Sequence, residues 1–503
     1  MWCAVRVPTT SRAGALAERM INYRHPALCV FALGLVGCQM VGPDYGGPPA
    51  STAETSKTFP SASAQDATEL VVSEPPAAWW QTLGDAELDA LITQAMVANY
   101  DLQIAAANVA VAQAVLVQFE TRRAPTIDAF GEMQGRRNSR ALVPKVDAHD
   151  RLPTTISSTF GFNLAWELDL FGRVRRSIEA AAADLGSIAA LRHDVLISVL
   201  AGVARAYLDL RGNQARLEVA ERNVGVQQQT LDLVTLLNRE GAATELDVAR
   251  ARTQLLASQA TMPRLKAAVT AALNRLTTFT AQAPGALSDR LAAHQPLPAM
   301  PRFMAVGAPA ALLRRRPDIQ VAERALAGSS ARIGVATAEL FPTVSFGAQA
   351  GLGAAQLSNL VASGAPFFAL GPSITWNLFD REAIYARIRA ADSNATAALA
   401  RYQATVTGAL EEVDTAISAY RNERQRRTQL AAALESSRKA SALARLRYQE
   451  GIEDFLTVLD AERNLLQIED QLAQSDIAVA QYLIDIHLAL GGGWEADEGS
   501  PAK

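Results

Sequence analysis

Apolar residues along this chain follow two different periods, and each period predicts a different element. Phe160, Phe162, Leu164, Trp166 and Leu168 alternate with Thr159, Gly161, Asn163, Ala165 and Glu167. Likewise Phe368, Leu370, Ile374, Trp376 and Leu378 alternate with Ala369, Gly371, Ser373, Thr375 and Asn377. A period of two predicts strands with one apolar face. Each has a hairpin partner upstream, about Thr126 to Arg136 and about Thr343 to Gly353, the second carrying Val344, Phe346, Ala348, Ala350 and Leu352 on one face. Strands of about 10 to 12 residues with this alternation and aromatic residues near their ends are what a transmembrane β-barrel requires. A soluble sandwich would need more strands and shorter loops. Four strands cannot close a barrel, and an open edge finds no hydrogen-bonding partner in hydrocarbon, so closure must come from further subunits. The loops between the paired strands, about 139 to 155 and 354 to 367, carry Gly, Ser and Pro and are expected on the cell exterior.

The second period is seven. After Gly241, Val248, Leu255, Met262, Val269 and Leu276 recur every seventh residue, and after Gly451 so do Val458, Leu465, Leu472, Val479 and Ile486. Heptad spacing predicts helices packed along a coiled-coil seam. Small residues three positions on, at Ala251, Ser258, Ala461 and Ser475, permit close approach. No proline occurs between Pro153 and Pro263 or between Pro372 and Pro501, so long helices fit there. A helix from Arg173 to about Glu240 would be roughly 100 Å long, far beyond the usual globular length. Periodicity alone leaves a wall of helical staves and an ordinary bundle core equally open. Membrane strands joined directly to such helices favour the wall.

The chain also repeats itself. NYDLQIAAANVAVAQ around Asp101 matches RPDIQVAERALAGSS around Asp318, and Ala124-Pro125-Thr126-Ile127 matches Phe341-Pro342-Thr343-Val344 at the same offset of 217. At an offset of 210, Trp166 matches Trp376, Gly241 matches Gly451 and Leu246 matches Leu456. Each copy reads helix, strand, loop, strand, long helix, tight turn, long helix. The fold class is therefore mainly α with transmembrane β, built as a tandem-repeat protomer.

Composition narrows the function. The 503 residues are 49% apolar and 19% charged with a net charge of -4, which leaves no basic excess for phosphates and makes nucleic acid an unexpected partner. Cys3, Cys29 and Cys38 are the only cysteines, so a disulfide framework cannot hold the rest of the chain. Met20 to Cys38 has a basic Arg24, an apolar stretch from Ala27 to Val36 and Gly37 before a cysteine, the pattern of a secretory signal peptide. Its apolar part is too short to span a membrane. Leu35-Val36-Gly37-Cys38 resembles a bacterial lipobox, which implies acylation of Cys38; Gln39, in place of an aspartate, points to the outer membrane. The first 19 residues precede a complete signal, which points to Met20 as the start.

The junction WELDLFGR (Trp166 to Arg173), LLRRRPDIQVAE (Leu312 to Glu323), ARIGVATAELFPT (Ala331 to Thr343) and VGPDY (Val41 to Tyr45) together resemble the NodT branch of TolC-like outer-membrane factors. That resemblance covers nearly the whole mature chain. It implies a homotrimer in which each protomer gives four strands to a 12-stranded outer-membrane barrel and long coiled-coil helices to a periplasmic α-barrel with an equatorial belt. It also implies a periplasmic adaptor and an inner-membrane transporter of the resistance-nodulation-division class as partners. The chain then divides into a signal peptide at 1–37 and a flexible lipidated tether at 38–85. A first repeat follows at 86–283, with strand hairpin 126–168 and a helical hairpin turning at 241. An equatorial linker occupies 284–309, and a second repeat 310–490 has strand hairpin 343–379 and a turn at 451. The tail is 491–503.

For a tube the working part is its constriction. The turns at Gly241 and Gly451 end the longest helices and are expected to dock the adaptor. RYQEGIEDFLTVLDAER, Arg447 to Arg463, is similar to the family's tip segment, where Asp460 matches an aspartate lining the periplasmic entrance. Three copies on an axis would form an acidic ring favouring cations. Without that motif, Asp460 reads as a solvated charge on a helix face. Thr457 stands where some relatives carry a second aspartate. Tyr448 matches a tyrosine that bonds neighbouring helices, with core packing equally open, and Glu453 replaces an arginine of the best-known relative.

Other features are set aside. Arg314-Arg315-Arg316 is too short for a nucleic-acid patch and reads as a solvated belt surface. The histidines show no metal-ligand spacing, and Walker, dinucleotide or nucleophile-elbow motifs are missing, so neither an enzyme nor any cofactor beyond a covalent lipid on Cys38 is expected. The expected function is the outer-membrane exit duct of a tripartite efflux pump. Rival readings are the outlet of a type I protein secretion system and a periplasmic coiled-coil adaptor lipoprotein.

Overall fold

The computed structural model describes residues 40–50, 58–62, 70–71, 73–137, 139, 154–301 and 304–495. Cys38, the signal segment and most of the first hairpin loop lie outside them. In chain order the elements are β1 (Leu70–Val71), α1 (Ala86–Ala98), α2 (Tyr100–Glu120), β2 (Thr126–Arg136), β3 (Thr155–Leu168), α3 (Arg173–Arg239), α4 (Glu245–Phe279) and α5 (Ser288–Leu291). There follow β4 (Met304–Ala305), α6 (Leu312–Arg315), α7 (Pro317–Ala338), β5 (Thr343–Ala354), β6 (Pro366–Thr375), α8 (Arg381–Gln449) and α9 (Phe455–Ala489). The described residues fall into two compact units, one drawn from those up to Asp44, Gln118–Ala180 and Ser330–Asp392, the other from those of Tyr45–Val117, Ala181–Ser329 and 393–495.

The first unit holds a four-stranded antiparallel sheet in the order β2-β3-β5-β6. β3 pairs with β5, so the two copies are joined within one sheet, and β2 and β6 leave open edges. Pro372, which has no N–H to give a ladder, falls on the edge strand β6 where it is tolerated. Gly161 and Gly351 are register partners, and a Cβ on either would sit 2.4 or 2.2 Å from a carbonyl oxygen of the facing strand. The alternation seen in the sequence beyond Thr375 does not extend the strand: β6 stops there, and the Trp376 indole instead donates to the Leu340 carbonyl at 3.1 Å. Trp166 does the same to Arg123 at 2.9 Å, so the duplication repeats the contact as well as the residue.

WELDLFGR makes the strand-to-helix corner. The Asp169 carboxylate accepts from the Val174 and Arg175 N–H groups at 3.0 and 2.9 Å, satisfying donors that the first turn of α3 leaves orphaned. Arg173 pairs with Glu167, and Phe171 stacks on Phe341 at 4.7 Å. The Val41 N–H reaches the Phe171 carbonyl, and Arg176, only 1% exposed, donates to the carbonyls of Val41 and Gly42 and to Asp44 and Glu179. VGPDY is thus the strap of a buried guanidinium.

The second unit holds the main core, where Trp79, Leu88, Leu91 and Ile92 meet Leu200, Tyr207 and Leu210 of α3, Val413 and Ile417 of α8, and Leu483 and Ile484 of α9. The expectation of a flexible tether is corrected by its described residues. Phe59 is buried, the Ser61 N–H donates to Asp414 at 2.7 Å, Arg421 donates to the Ser61 carbonyl at 2.6 Å, and β1 pairs in parallel with β4. The linker is pinned too: it forms the short α5, and buried Arg211 and Gln214 donate to the Ala293 and Leu291 carbonyls. α4 continues through Pro263, which forfeits one ladder bond without ending the helix.

Only Arg314 of the arginine run is exposed; Arg315 and Arg316 depart from the expected solvated surface. Arg316, 9% exposed, grips Asp318 bidentately at 2.9 and 2.7 Å, Glu412 at 2.6 Å and the Ala489 carbonyl at 3.0 Å. Arg315 donates to the Pro75 carbonyl at 2.7 Å. The physical reason is partners supplied from distant segments, which make a buried guanidinium tolerable.

Candidate functional site

At both long-helix turns the chain must reverse within a few residues, and glycine supplies the left-handed conformation that does it. Gly241 and Gly451 have φ of 78° and 71°. In each, the following N–H bonds the carbonyl five residues back, Ala242 to Leu237 at 2.8 Å and Ile452 to Arg447 at 2.9 Å. The glycine N–H bonds the carbonyl three back, Asn238 or Tyr448, at 3.0 Å. This is the Schellman closure, which satisfies carbonyls at the helix end.

The next helices start with side-chain caps, reciprocal at α4 and one-sided at α9. Thr244 caps α4 and receives the Asp247 N–H, while the Asp247 carboxylate returns to the Thr244 N–H. At α9 the residue types are exchanged: the Asp454 carboxylate accepts the N–H and the hydroxyl of Thr457, each at 2.9 Å. Those bonds hold the Asp454 carboxyl below the ordinary carboxylate range. Thr457 therefore completes a helix cap.

Behind the turns lies a small core of its own, in which Leu231 and Val234 of α3, Val248 and Leu255 of α4, and Phe455 and Val458 of α9 are buried. The Tyr448 ring packs against it, 5.5 Å from Phe455, and burial followed by the nearby Asp247 carboxylate pushes its phenol up. Asp460 faces away from this core. Its side chain is 62% exposed and accepts from Arg463 at 2.5 Å. Glu453 accepts from Arg447 at 3.0 Å. The structure thus gathers Gly241, Gly451, Tyr448, Thr457 and Asp460 at one helical tip. Sequence reasoning missed Glu462, which is 4% exposed and accepts from Arg445 at 2.6 Å and from Thr230 at 3.4 Å. No sequence signal marked it, since a carboxylate seven residues after Phe455 reads as a solvated charge on a helix face.

Among the described residues no group of three or more His, Cys, Asp or Glu is placed to hold a metal ion. An exposed carboxylate facing away from a closed apolar tip is suited to repelling or attracting passing ions.

Comparison with known proteins places these features in a family. The model of the outer membrane efflux protein family matches residues 91–282 and 308–492. The pyoverdine export outer membrane protein OpmQ of Pseudomonas putida is 31% identical over 488 residues, 95% of this chain and 99% of that protein. Nodulation protein T of Rhizobium leguminosarum bv. trifolii is 28% identical over 95% of this chain and 98% of its own length. Among solved structures, the outer-membrane channel OprN is 36% identical with a TM-score of 0.84, covering 90% of this chain and 99% of that one. The fold is that of the TolC-like channels, with the tandem repeat contributing both the sheet and the long helices, and the place of work is the outer membrane. The chain belongs to the outer membrane efflux protein family and serves as the outer-membrane exit duct of a tripartite efflux system.

Proposed function

We infer that three copies of this chain close one 12-stranded barrel and one helical tube, through which small molecules delivered by a resistance-nodulation-division transporter and a periplasmic adaptor leave the cell. The observation that carries this reading is the four-stranded sheet with open edges at β2 and β6, since an open edge is not tolerated in hydrocarbon. A row of exposed apolar residues on α2, Ile104, Val111 and Val115, offers a seam for a neighbouring subunit. Pyoverdine export, the role in OpmQ's name, favours small molecules over a secreted protein. Cys38 carries the lipid anchor in this reading, after removal of 1–37, and the tips at Gly241 and Gly451 meet the adaptor. Asp460, repeated about the axis, forms the acidic ring of the periplasmic entrance, with Tyr448 packing the tip and Thr457 capping α9 rather than adding a second ring.

Planar-bilayer recording tests it. Purified protein is expected to conduct as a cation-preferring channel, and Asp460→Asn to weaken that preference. Selectivity unchanged by Asp460→Asn returns Asp460 to an ordinary solvated charge.

A further inference from the structure

One row of α9 carries acid where a helix seam ordinarily carries hydrocarbon. Phe455, Glu462, Glu469, Asp476 and Leu483 recur every seventh residue, and each of the three carboxylates meets an arginine of α8. Arg445 donates to Glu462 at 2.6 Å, Arg438 to Glu469 at 3.1 Å, and Arg427 pairs with Asp476. The row dries out toward the tip: the side chains of Asp476, Glu469 and Glu462 are 30%, 16% and 5% exposed. Glu462 alone also touches α3, through the Thr230 hydroxyl.

Apolar seams tolerate small rotations, because one hydrocarbon surface serves nearly as well as its neighbour. A buried carboxylate does not, since leaving its partner strands a charge without water. Polar groups in such seams are accordingly a means of fixing register.

Asp460 precedes Glu462 by two residues on the same helix. At about 100° per residue the two side chains point some 200° apart, to opposite faces. Glu462 points into the protomer and Asp460 away from it, as their exposures of 5% and 62% record. Turning α9 so that Asp460 changes heading requires drawing Glu462 away from Arg445. We propose that Glu462, held by Arg445 and Thr230, is a rotational key that fixes the direction in which Asp460 points, and so is a positioning residue for the tip constriction. The constriction itself rests on the reading of Asp460 given above.

The chain has no cysteine beyond Cys38, so a thiol introduced at the tip is unique there. In the full-length protein, the rate of modification by a charged methanethiosulfonate is measured separately for Asp460→Cys and for Ala461→Cys. Each is made alone and together with Glu462→Gln, Glu462→Leu, Arg445→Met, or the exchanged pair Glu462→Arg with Arg445→Glu. The ratio of the two rates is expected to fall about tenfold with Glu462→Leu or Arg445→Met, to fall less with Glu462→Gln, and to recover in the exchanged pair. Glu462→Gln keeps an acceptor in place and so carries the test should the apolar variant not fold. A ratio unchanged by both Glu462→Gln and Glu462→Leu overturns the key. The Asp460→Asn currents test the constriction separately: unaltered selectivity with a shifted ratio sinks the constriction and retains the key as what sets the rotation of α9.

Discussion

Removing Arg316 should cost stability in a pH-dependent way. Its guanidinium makes two bonds to Asp318, one to Glu412 and one to the Ala489 carbonyl, the last acceptor of α9 in reach. Bonds to charged groups contribute about 1.5–3 kcal/mol each, but Glu412 is 61% exposed and would be rehydrated at little loss, so its share is small. Asp318 and the Ala489 carbonyl are less accessible, and Arg316→Ala is expected to cost about 3 kcal/mol in all at pH 8. The sign with pH follows from the neighbours. Burial raises the Asp194 carboxyl, Asp318 raises it further, and Arg316 opposes both. Without the guanidinium Asp194 loses the charge that opposes its rise, and its folded pKa lies further above the unfolded one. The penalty is then full above the folded value and shrinks as pH falls toward the unfolded value near 4. Thermal unfolding of detergent-solubilised protein should show a larger Arg316→Ala deficit at pH 8 than at pH 5, with Arg316→Lys between. A deficit equal at both pH values, or none, refutes the argument.

Other outcomes are expected elsewhere. Burial, with Arg315 nearby, holds the imidazole of His487 down to about 4 while it stacks on Trp79 at 5.0 Å. Its contribution is fully present above pH 6.5 and lost as pH falls through 4, about 3 kcal/mol in all; His487→Phe should flatten that acid dependence in thermal unfolding, and an unchanged slope would contradict the assignment. Gly351→Val drives a Cβ against the Phe160 carbonyl, 2.2 Å away, and should abolish the heat-modifiable folded band on gels; wild-type yield would count against the β3–β5 register. Gly451→Ala places a side chain at a left-handed φ of 71° and should cost about 1–2 kcal/mol, read as a lowered unfolding midpoint. A neutral effect would mean the turn is built differently.

The fold was legible where one physical demand dominates a segment. Period-two alternation marked β3 because a sheet between lipid and lumen must differ between its faces, and the absence of proline marked α3 and α8. The alternation misled past Thr375 because Trp376 keeps the pattern while its indole serves the Leu340 carbonyl rather than a ladder. Buried charges were illegible. Arg176 binds Asp44 across 132 residues and Arg316 binds Glu412 across 96, and nothing local distinguishes such arginines from solvated ones. At the tip, the glycines, the tyrosine and Asp460 could be placed from sequence. Glu462 could not, since a carboxylate in a heptad row ordinarily marks the solvent face, and its burial is made tolerable by partners far off in sequence, Arg445 of α8 and Thr230 of α3.

The open edges of the β2-β3-β5-β6 sheet are the centre of the account, because they oblige copies to close one another. Native mass measurement of the detergent-solubilised fraction that inserts into bilayers and conducts tests this most directly. Three chains per conducting particle is the result expected, and a stable, conducting monomer would contradict it.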